Sequence, residues 1–315
     1  MGKTIQTIGL IGAGAVGSYV IWGTEGASGI DFRLIAEGRR AERLRNPGLV
    51  INGKTYTPPV CTPEEYRAAA GSGPDLLLIA VKGSALPDAL DLIRRAAGSS
   101  TIVMSLLNGI DSEEIIGSVI DPSLLVYSLI RIASRRIGAS VVFDPDATLG
   151  IYYGEPGHRE KTERVRMIEE CFSRTRLRGH FMEDIVTDMW VKFCSNIENN
   201  LPQAILGVGY GACMDSVHVD WLRRTLEQEV IRVAASCGIH LEPQGILQGY
   251  RKSARFSTLQ DLDAGRTTEV DMFLGTLMDK AKAAGIEVPA AACTWHLIKA
   301  LEEKNSGLFA YSESE

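Results

Sequence analysis

Short continuous apolar runs alternate with helix-like stretches through the first half of the chain. Residues 7–11, 32–36, 76–81 and 101–107 each form such a run. This is the pattern of strands buried on both faces of a parallel sheet. Between 125 and 154 the runs draw closer together (125–127, 140–143 and 148–152), joined by turn residues such as Asp144-Pro145-Asp146, and predict further strands. From about residue 184 the apolar spacing becomes helical, over 184–200, 218–237, 266–284 and 290–303. Gly238 and Gly285 stand where a helix end favours glycine, and Val288-Pro289 marks the entry to the last helix. The pattern predicts an α/β domain over 1–182 and an all-helical domain over 183–315, joined by a tight hinge and facing each other across a cleft. Only 312–315 reads as disordered.

A length of 315 residues suits two domains. The hydrophobic fraction of 45% and charged fraction of 23% exclude a disordered chain, a collagen-like repeat and a small disulfide scaffold. A net charge of −6, with no long basic run, excludes the footprint of a nucleic-acid binder. Six separated cysteines, with no C-x-x-C pair, show neither zinc spacing nor a disulfide framework, so most read as buried thiols and no metal site is expected. No segment approaches a membrane span, and a cytoplasmic address is expected. The apolar helices of the second half could form a homodimer interface.

Glycine, at 32 residues, is the one compositional excess, and its most informative cluster follows the first strand. Gly12-Ala13-Gly14-Ala15-Val16-Gly17 is a G-x-G-x-x-G turn leading into an apolar helix. In that context the first glycine makes the tight turn, the second lets backbone amides approach a pyrophosphate, and the third packs helix against strand. The helix amino end then faces the anion. Glu37 lies at the end of the second strand, twenty residues after Gly17. An acid there accepts hydrogen bonds from ribose hydroxyls and favours NAD(H), yet Arg39 and Arg40 follow at once and could pair with a 2′-phosphate. This segment alone leaves the choice open.

On the helix predicted over 184–200, Ile185, Val186, Met189, Phe193 and Ile197 form one apolar arc, with Asp184, Asp188 and Glu198 opposite. Lys192, Asn196 and Asn200 recur every four residues as a polar stripe along the shoulder of that arc. Such a stripe suits a helix lining a polar cleft.

The whole chain resembles the ketopantoate reductase (2-dehydropantoate 2-reductase) family at several separated places. They are the glycine turn, Val81-Lys82, Asn108-Gly109, Trp190-Val191-Lys192 with Asn196 and Asn200, Ser257-Thr258-Leu259-Gln260-Asp261 running into Gly265-Arg266-Thr267-Thr268-Glu269-Val270-Asp271, and Gly285-Ile286-Glu287-Val288-Pro289. The resemblance implies a Rossmann domain followed by a helical domain like that of 6-phosphogluconate dehydrogenase. It also implies NADPH-dependent reduction of ketopantoate to pantoate, as in pantothenate biosynthesis. By the same resemblance Lys192 is the general acid and Glu269 accepts from the substrate hydroxyl and helps hold the lysine. Partial burial would bring the lysine's high intrinsic pKa toward that task. Ser257, Asn196 and Asn200 would complete the substrate pocket. Asn108 would stand beside nicotinamide and substrate, and Lys82 would contact cofactor or substrate. The cofactor expected is NADP(H), with NAD(H) admitted by Glu37; the partner expected is a small 2-oxo acid.

Three departures bear on specificity. Where the family has Asn-Pro-x-Thr-Ala, this chain reads Asn200-Leu201-Pro202-Gln203-Ala204. The glycine-rich Gly207-Val208-Gly209-Tyr210-Gly211 replaces a region where relatives often carry a pocket asparagine, and Tyr210 is expected to fill that part of the pocket. Glu37 stands where many relatives have arginine. Another 2-oxo acid as substrate, or a dinucleotide sensor without catalysis, are the alternatives.

Overall fold

The computed structural model describes residues 4–309, so the disorder expected of 312–315 lies outside the described residues. Internal contacts divide the chain between Val186 and Thr187, in the first turn of a helix.

The first unit contains, in chain order, β1 (Thr7–Ile11), α1 (Ala15–Thr24), β2 (Asp31–Ile35), α2 (Gly38–Arg45), β3 (Leu49–Ile51), β4 (Lys54–Tyr56), β5 (Val60–Cys61) and α3 (Pro63–Ala70). There follow β6 (Leu76–Ile79), α4 (Leu86–Ala96), β7 (Ile102–Ser105), α5 (Ser112–Gly117), β8 (Tyr127–Arg131), β9 (Ser134–Ile137), β10 (Ser140–Phe143), β11 (Gly150–Gly154), α6 (Glu163–Ser173) and β12 (Gly179–Phe181). The central sheet has the order β5-β2-β1-β6-β7, and every neighbouring pair is parallel. Leu10 lies beside Leu34 on one side and Leu78 on the other, and Leu78 lies beside Met104. All four are buried, and each such side chain contributes about 2 kcal/mol on leaving water. The strand order turns back on itself between β1 and β6, the switch point at which open α/β sheets of the Rossmann kind bind ligands.

Two smaller sheets, β4-β3-β10-β9 and β12-β11-β8, use the remaining strands. The strand expected over 125–127 begins only at Tyr127. Leu125 closes a tight turn onto Pro122 and makes a single bridge to Val103 before β8 starts. β9 escaped the pattern because its residues, Ser134-Arg135-Arg136-Ile137, lack an apolar face; its pairing with β10 alone makes it a strand.

The second unit is helical: α7 (Ile185–Leu206, its first two residues in the first unit), α8 (Ala212–Asp215), α9 (Val217–Ser236), α10 (Ser257–Asp263), a π-helical turn Asp271–Gly275, α11 (Thr276–Ala284) and α12 (Pro289–Ser306). The helix expected over 266–284 starts late. Arg266 is turned back onto Asp261 by a 2.7 Å side-chain bond, which leaves 266–269 as a loop. On α7, Ile185, Met189, Phe193 and Ile197 are buried as the apolar arc requires. Glu198, expected on the polar side, is fully buried too, paired with Arg223 of α9. Asp220 and Glu227 complete the pairing of that guanidinium. Among the described residues no helix is long and apolar enough to cross a membrane.

One buried acid gives the fold a pH signature. Glu113, on α5, is buried, and burial pushes its carboxyl up to about 7 in spite of a hydrogen bond from the Ser112 hydroxyl. Its native pKa lies above the unfolded one, so this group's contribution to stability is fully present below about pH 4.5 and is lost as pH rises through 7, by about 3 kcal/mol in all. Urea unfolding at pH 5 and pH 9 should show Glu113→Gln losing about 2.5 kcal/mol less across that interval than the wild type. Equal losses in the two proteins would refute the assignment.

Candidate functional site

The turn after β1 is shaped by contact with the turn after β6. Gly12 has φ +100°, and a β-carbon on it would lie 2.5 Å from the Ala80 carbonyl and 2.6 Å from the Val81 nitrogen. One on Gly17 would lie 2.1 Å from the Gly12 oxygen. Gly14 differs: a β-carbon there meets nothing within 4 Å. The first and third glycines are thus required by packing, whereas the second faces open space at the start of α1. Gly14 is also the N-cap of α1, with no side chain capping it, so the amides of the first turn, over Ala15, Val16 and Gly17, are presented toward that space. An open surface of backbone amides bounded by Ala13 and Gly14 fits a pyrophosphate.

The neighbouring strand ends carry the other candidates. Glu37 stands at the N-cap position of α2 without a side-chain bond to its amides, and Arg39 lies exposed in the first turn. Arg95, from α4, grips both oxygens of the Glu37 carboxylate, at 2.8 and 2.5 Å. Lys82 lies three residues past the end of β6 and is exposed. Asn108 is half-buried, two residues beyond the last ladder bond of its strand, from the Leu106 amide to the Ile79 carbonyl. The glycine turn, Glu37, Lys82 and Asn108 therefore stand at the carboxyl ends of β1, β2, β6 and β7, one edge of one sheet.

In the second unit Lys192, Asn196 and Asn200 follow one another along α7. Lys192 and Asn196 are half-buried and Asn200 is buried, with the Asn200 amide 3.5 Å from the Asn196 carbonyl oxygen. Ser257 opens α10 and is exposed. Glu269 is half-buried on the loop before the π-helical turn. That loop is held by its neighbour: Thr268 donates through both its amide (2.7 Å) and its hydroxyl (2.6 Å) to Glu302 of α12. Lys299 in turn pairs Glu302 and Asp271.

The expectation for Tyr210 is corrected. It is fully buried, donates to Asn199 at 2.9 Å, accepts from the Leu247 amide at 2.7 Å, and packs against Tyr250 and Phe256. It braces α7 from behind and has no surface to offer a pocket. The glycines around it have the same explanation, because a β-carbon on Gly209 would lie 2.4 Å from the Lys252 oxygen and one on Gly211 2.5 Å from the Lys252 β-carbon. Gln203, the other departure, is buried and accepts from the Phe256 amide at 3.1 Å, which fixes the residue just before Ser257. Arg95 bonds Glu37 itself, while Glu302 and Gln203 hold the residues beside Glu269 and Ser257, and Asn199 holds Tyr210; sequence reasoning gave none of these contacts, although it singled out Gln203 as a departure. Each reaches across the fold, and no local spacing announces such a partner.

A parallel sheet with a dinucleotide-type glycine turn at its switch point, followed by a helical unit with a lysine–amide stripe, defines a two-domain oxidoreductase. A family model described as ketopantoate reductase PanE/ApbA matches residues 8–155, and its C-terminal counterpart matches 184–302. The chain belongs to the ketopantoate reductase family. It is 29% identical over 322 residues to a 2-dehydropantoate 2-reductase of Pyrococcus horikoshii, covering 95% of this chain and 98% of the relative. A crystal structure of a PanE/ApbA family ketopantoate reductase from Ralstonia eutropha JMP134 superposes with a TM-score of 0.78 at 23% identity, covering 95% of this chain and 99% of the other. The ternary structure of D-mandelate dehydrogenase with NADH and anilino(oxo)acetate superposes with a TM-score of 0.79 at 22% identity, with the same coverage.

The two kinds of glycine separate experimentally. Gly14→Ala should leave the melting temperature within about 2 °C while weakening dinucleotide binding at least tenfold, because only a ligand meets the new methyl. Gly12→Ala should lower both, since its methyl collides with the Ala80 carbonyl. Calorimetric melting beside a dinucleotide titration reads the two effects; a Gly14→Ala protein with unaltered affinity would contradict the pyrophosphate assignment.

Proposed function

We propose that the chain reduces 2-dehydropantoate to pantoate, the reaction type of pantothenate biosynthesis, with Lys192 as general acid. The observation that carries this reading is the Lys192–Asn196–Asn200 stripe of α7 together with Glu269 in one helical unit, in the region matched by the family's C-terminal model.

A nicotinamide dinucleotide, when bound, supplies the hydride for the keto carbon. The amides at the start of α1 and the Gly12–Gly14 turn bind its pyrophosphate, and Asn108 and Lys82 contact it at the edge of the same sheet. Lys192 donates a hydrogen bond from its ammonium Nζ to the keto oxygen. This polarises the carbonyl, and as negative charge builds on the oxygen the lysine transfers its proton there. Glu269 accepts a hydrogen bond from the substrate hydroxyl and keeps the ammonium oriented. Asn196, Asn200 and Ser257 donate to the substrate's carboxylate and hydroxyl, which holds the carbonyl in one orientation for the transfer.

The family resemblance favours NADPH, whereas Glu37 at the ribose position favours NADH. A different 2-oxo acid is the second reading, supported by Gln203 and the 207–211 segment, which pack against the 250s in place of the family's polar pocket wall.

Lys192→Ala should lower turnover with ketopantoate about 10²–10⁴-fold while leaving dinucleotide affinity within twofold. Unchanged turnover would remove Lys192 from its role. In a panel of 2-oxo acids, a higher kcat/KM on another member would replace ketopantoate as the substrate. No oxidation of NADH or NADPH with any member would leave only the sensor reading.

A further inference from the structure

Arg95 is the least expected residue near the dinucleotide-binding edge. It lies in the last turn of α4, the helix that follows β6, and it reaches Glu37 at the end of β2. These two strands flank β1 and its glycine turn. The contact is a fork: one terminal nitrogen donates to each Glu37 oxygen, at 2.8 and 2.5 Å. The same guanidinium also bonds Glu64 of α3 at 2.7 Å and, through Nε, Asp91 at 2.8 Å. One positive charge is thus shared by three carboxylates. The Arg95 side chain is 26% exposed and that of Glu37 40%, so the pair is open to a ligand.

Two consequences follow from this arrangement. A carboxylate has about four acceptor positions, and the fork occupies one on each oxygen, so each oxygen keeps one for a further donor. The fork also fixes the plane of the carboxylate, which a lone glutamate on a helix start would not keep. Two adjacent hydroxyl donors on a ribose match two fixed acceptors. A 2′-phosphate meets the opposite situation: it brings about two further negative charges to a place where Glu37, Glu64 and Asp91 already surround Arg95, with Arg94 pairing Asp91 alone. Arg39 and Arg40 are exposed in the first turn of α2, beside Glu37 in the chain, and are the cations that a 2′-phosphate would have to recruit against that acidic group.

We propose that Arg95 is a positioning residue for dinucleotide selection. Its fork holds the Glu37 carboxylate to accept the two ribose hydroxyls, and the acidic group around it repels a 2′-phosphate, so this chain takes NADH in preference to NADPH. The proposal rests on the reading of the 12–17 turn as a dinucleotide site, and it is independent of which 2-oxo acid is reduced.

The test is a fluorescence titration of the full chain with NADH and with NADPH, without any 2-oxo acid. The wild type should bind NADH at least tenfold more tightly. Glu37→Gln should bring the two affinities within threefold of each other. Arg95→Ala should weaken NADH binding about fivefold, but should add less than twofold when introduced into Glu37→Gln, because its influence passes through that carboxylate. A merely structural role would give the same loss in both backgrounds and would overturn the proposal. So would a wild type that prefers NADPH, or an Arg95→Ala variant that binds NADH more tightly, since Arg95 would then be holding Glu37 away from the ribose. Binding of neither dinucleotide would overturn the glycine-turn reading as well. Tight, selective NADH binding without reduction of any 2-oxo acid would overturn only the proposed activity.

Discussion

The close approach of the β1 and β6 turns is the constraint on which the rest of the first unit's candidate site depends. The Gly12 backbone sits so near the Ala80–Val81 peptide that no side chain fits between them, and Gly17 must in turn sit against Gly12. With those contacts made, α1 begins at one possible place and points its first-turn amides at the space beside Gly14. The positions of Lys82 and Asn108 follow from the same frame, because β6 and β7 are locked in register with β1 through Leu10, Leu78 and Met104. A dinucleotide site here is thus a property of strand packing, and the side chains added at the sheet edge determine which dinucleotide it takes.

The second unit solves a different problem. Its candidate residues lie on a helix that must be buried along much of its length while still carrying amides and a lysine. Most buried polar groups of α7 are met by partners: Asn199 by Ser195 and Tyr210, Gln203 by the Phe256 amide, and one oxygen of Glu198 by Arg223, while its other oxygen is left unmet. An unmet group of that kind costs about 1–3 kcal/mol, so these bonds fix both the helix and the segments that reach it. The 207–211 turn and the approach to Ser257 are held by this helix, the same element that carries the proposed acid.

How much of this was legible in the sequence depended on the range of the interaction concerned. The central strands, the glycine turn and the apolar arc of α7 are short-period patterns, and each appears where the periodicity placed it. Glu198 was misplaced because a helical wheel shows only which side a charge faces; the buried partner, Arg223, is 25 residues away. Tyr210 looked like a pocket residue because the segment was compared with a motif it lacks, whereas its surroundings are set by the 247–256 segment. Residues 266–269 read as helix by spacing, but Asp261 and Glu302 draw them into a loop. Long-range polar bonds are what the linear pattern does not contain.

Those bonds also explain how candidate residues outside the rigid core keep a defined geometry. Glu37 begins a helix, and Glu269 lies on a loop; neither place restricts a side chain strongly. In each case a charged residue from a separate helix reaches in, Arg95 to the carboxylate itself and Glu302 to Thr268 beside Glu269. Exposed ion pairs add only about 0–1 kcal/mol to stability, so the Arg95 cluster is a poor explanation for the endurance of the fold. A bidentate fork instead restricts orientation, and orientation is what recognition of a ribose diol requires. The burial of apolar strands keeps this protein folded, and a few charge-assisted bonds across the sheet edge and the helical unit decide what its surface can recognise.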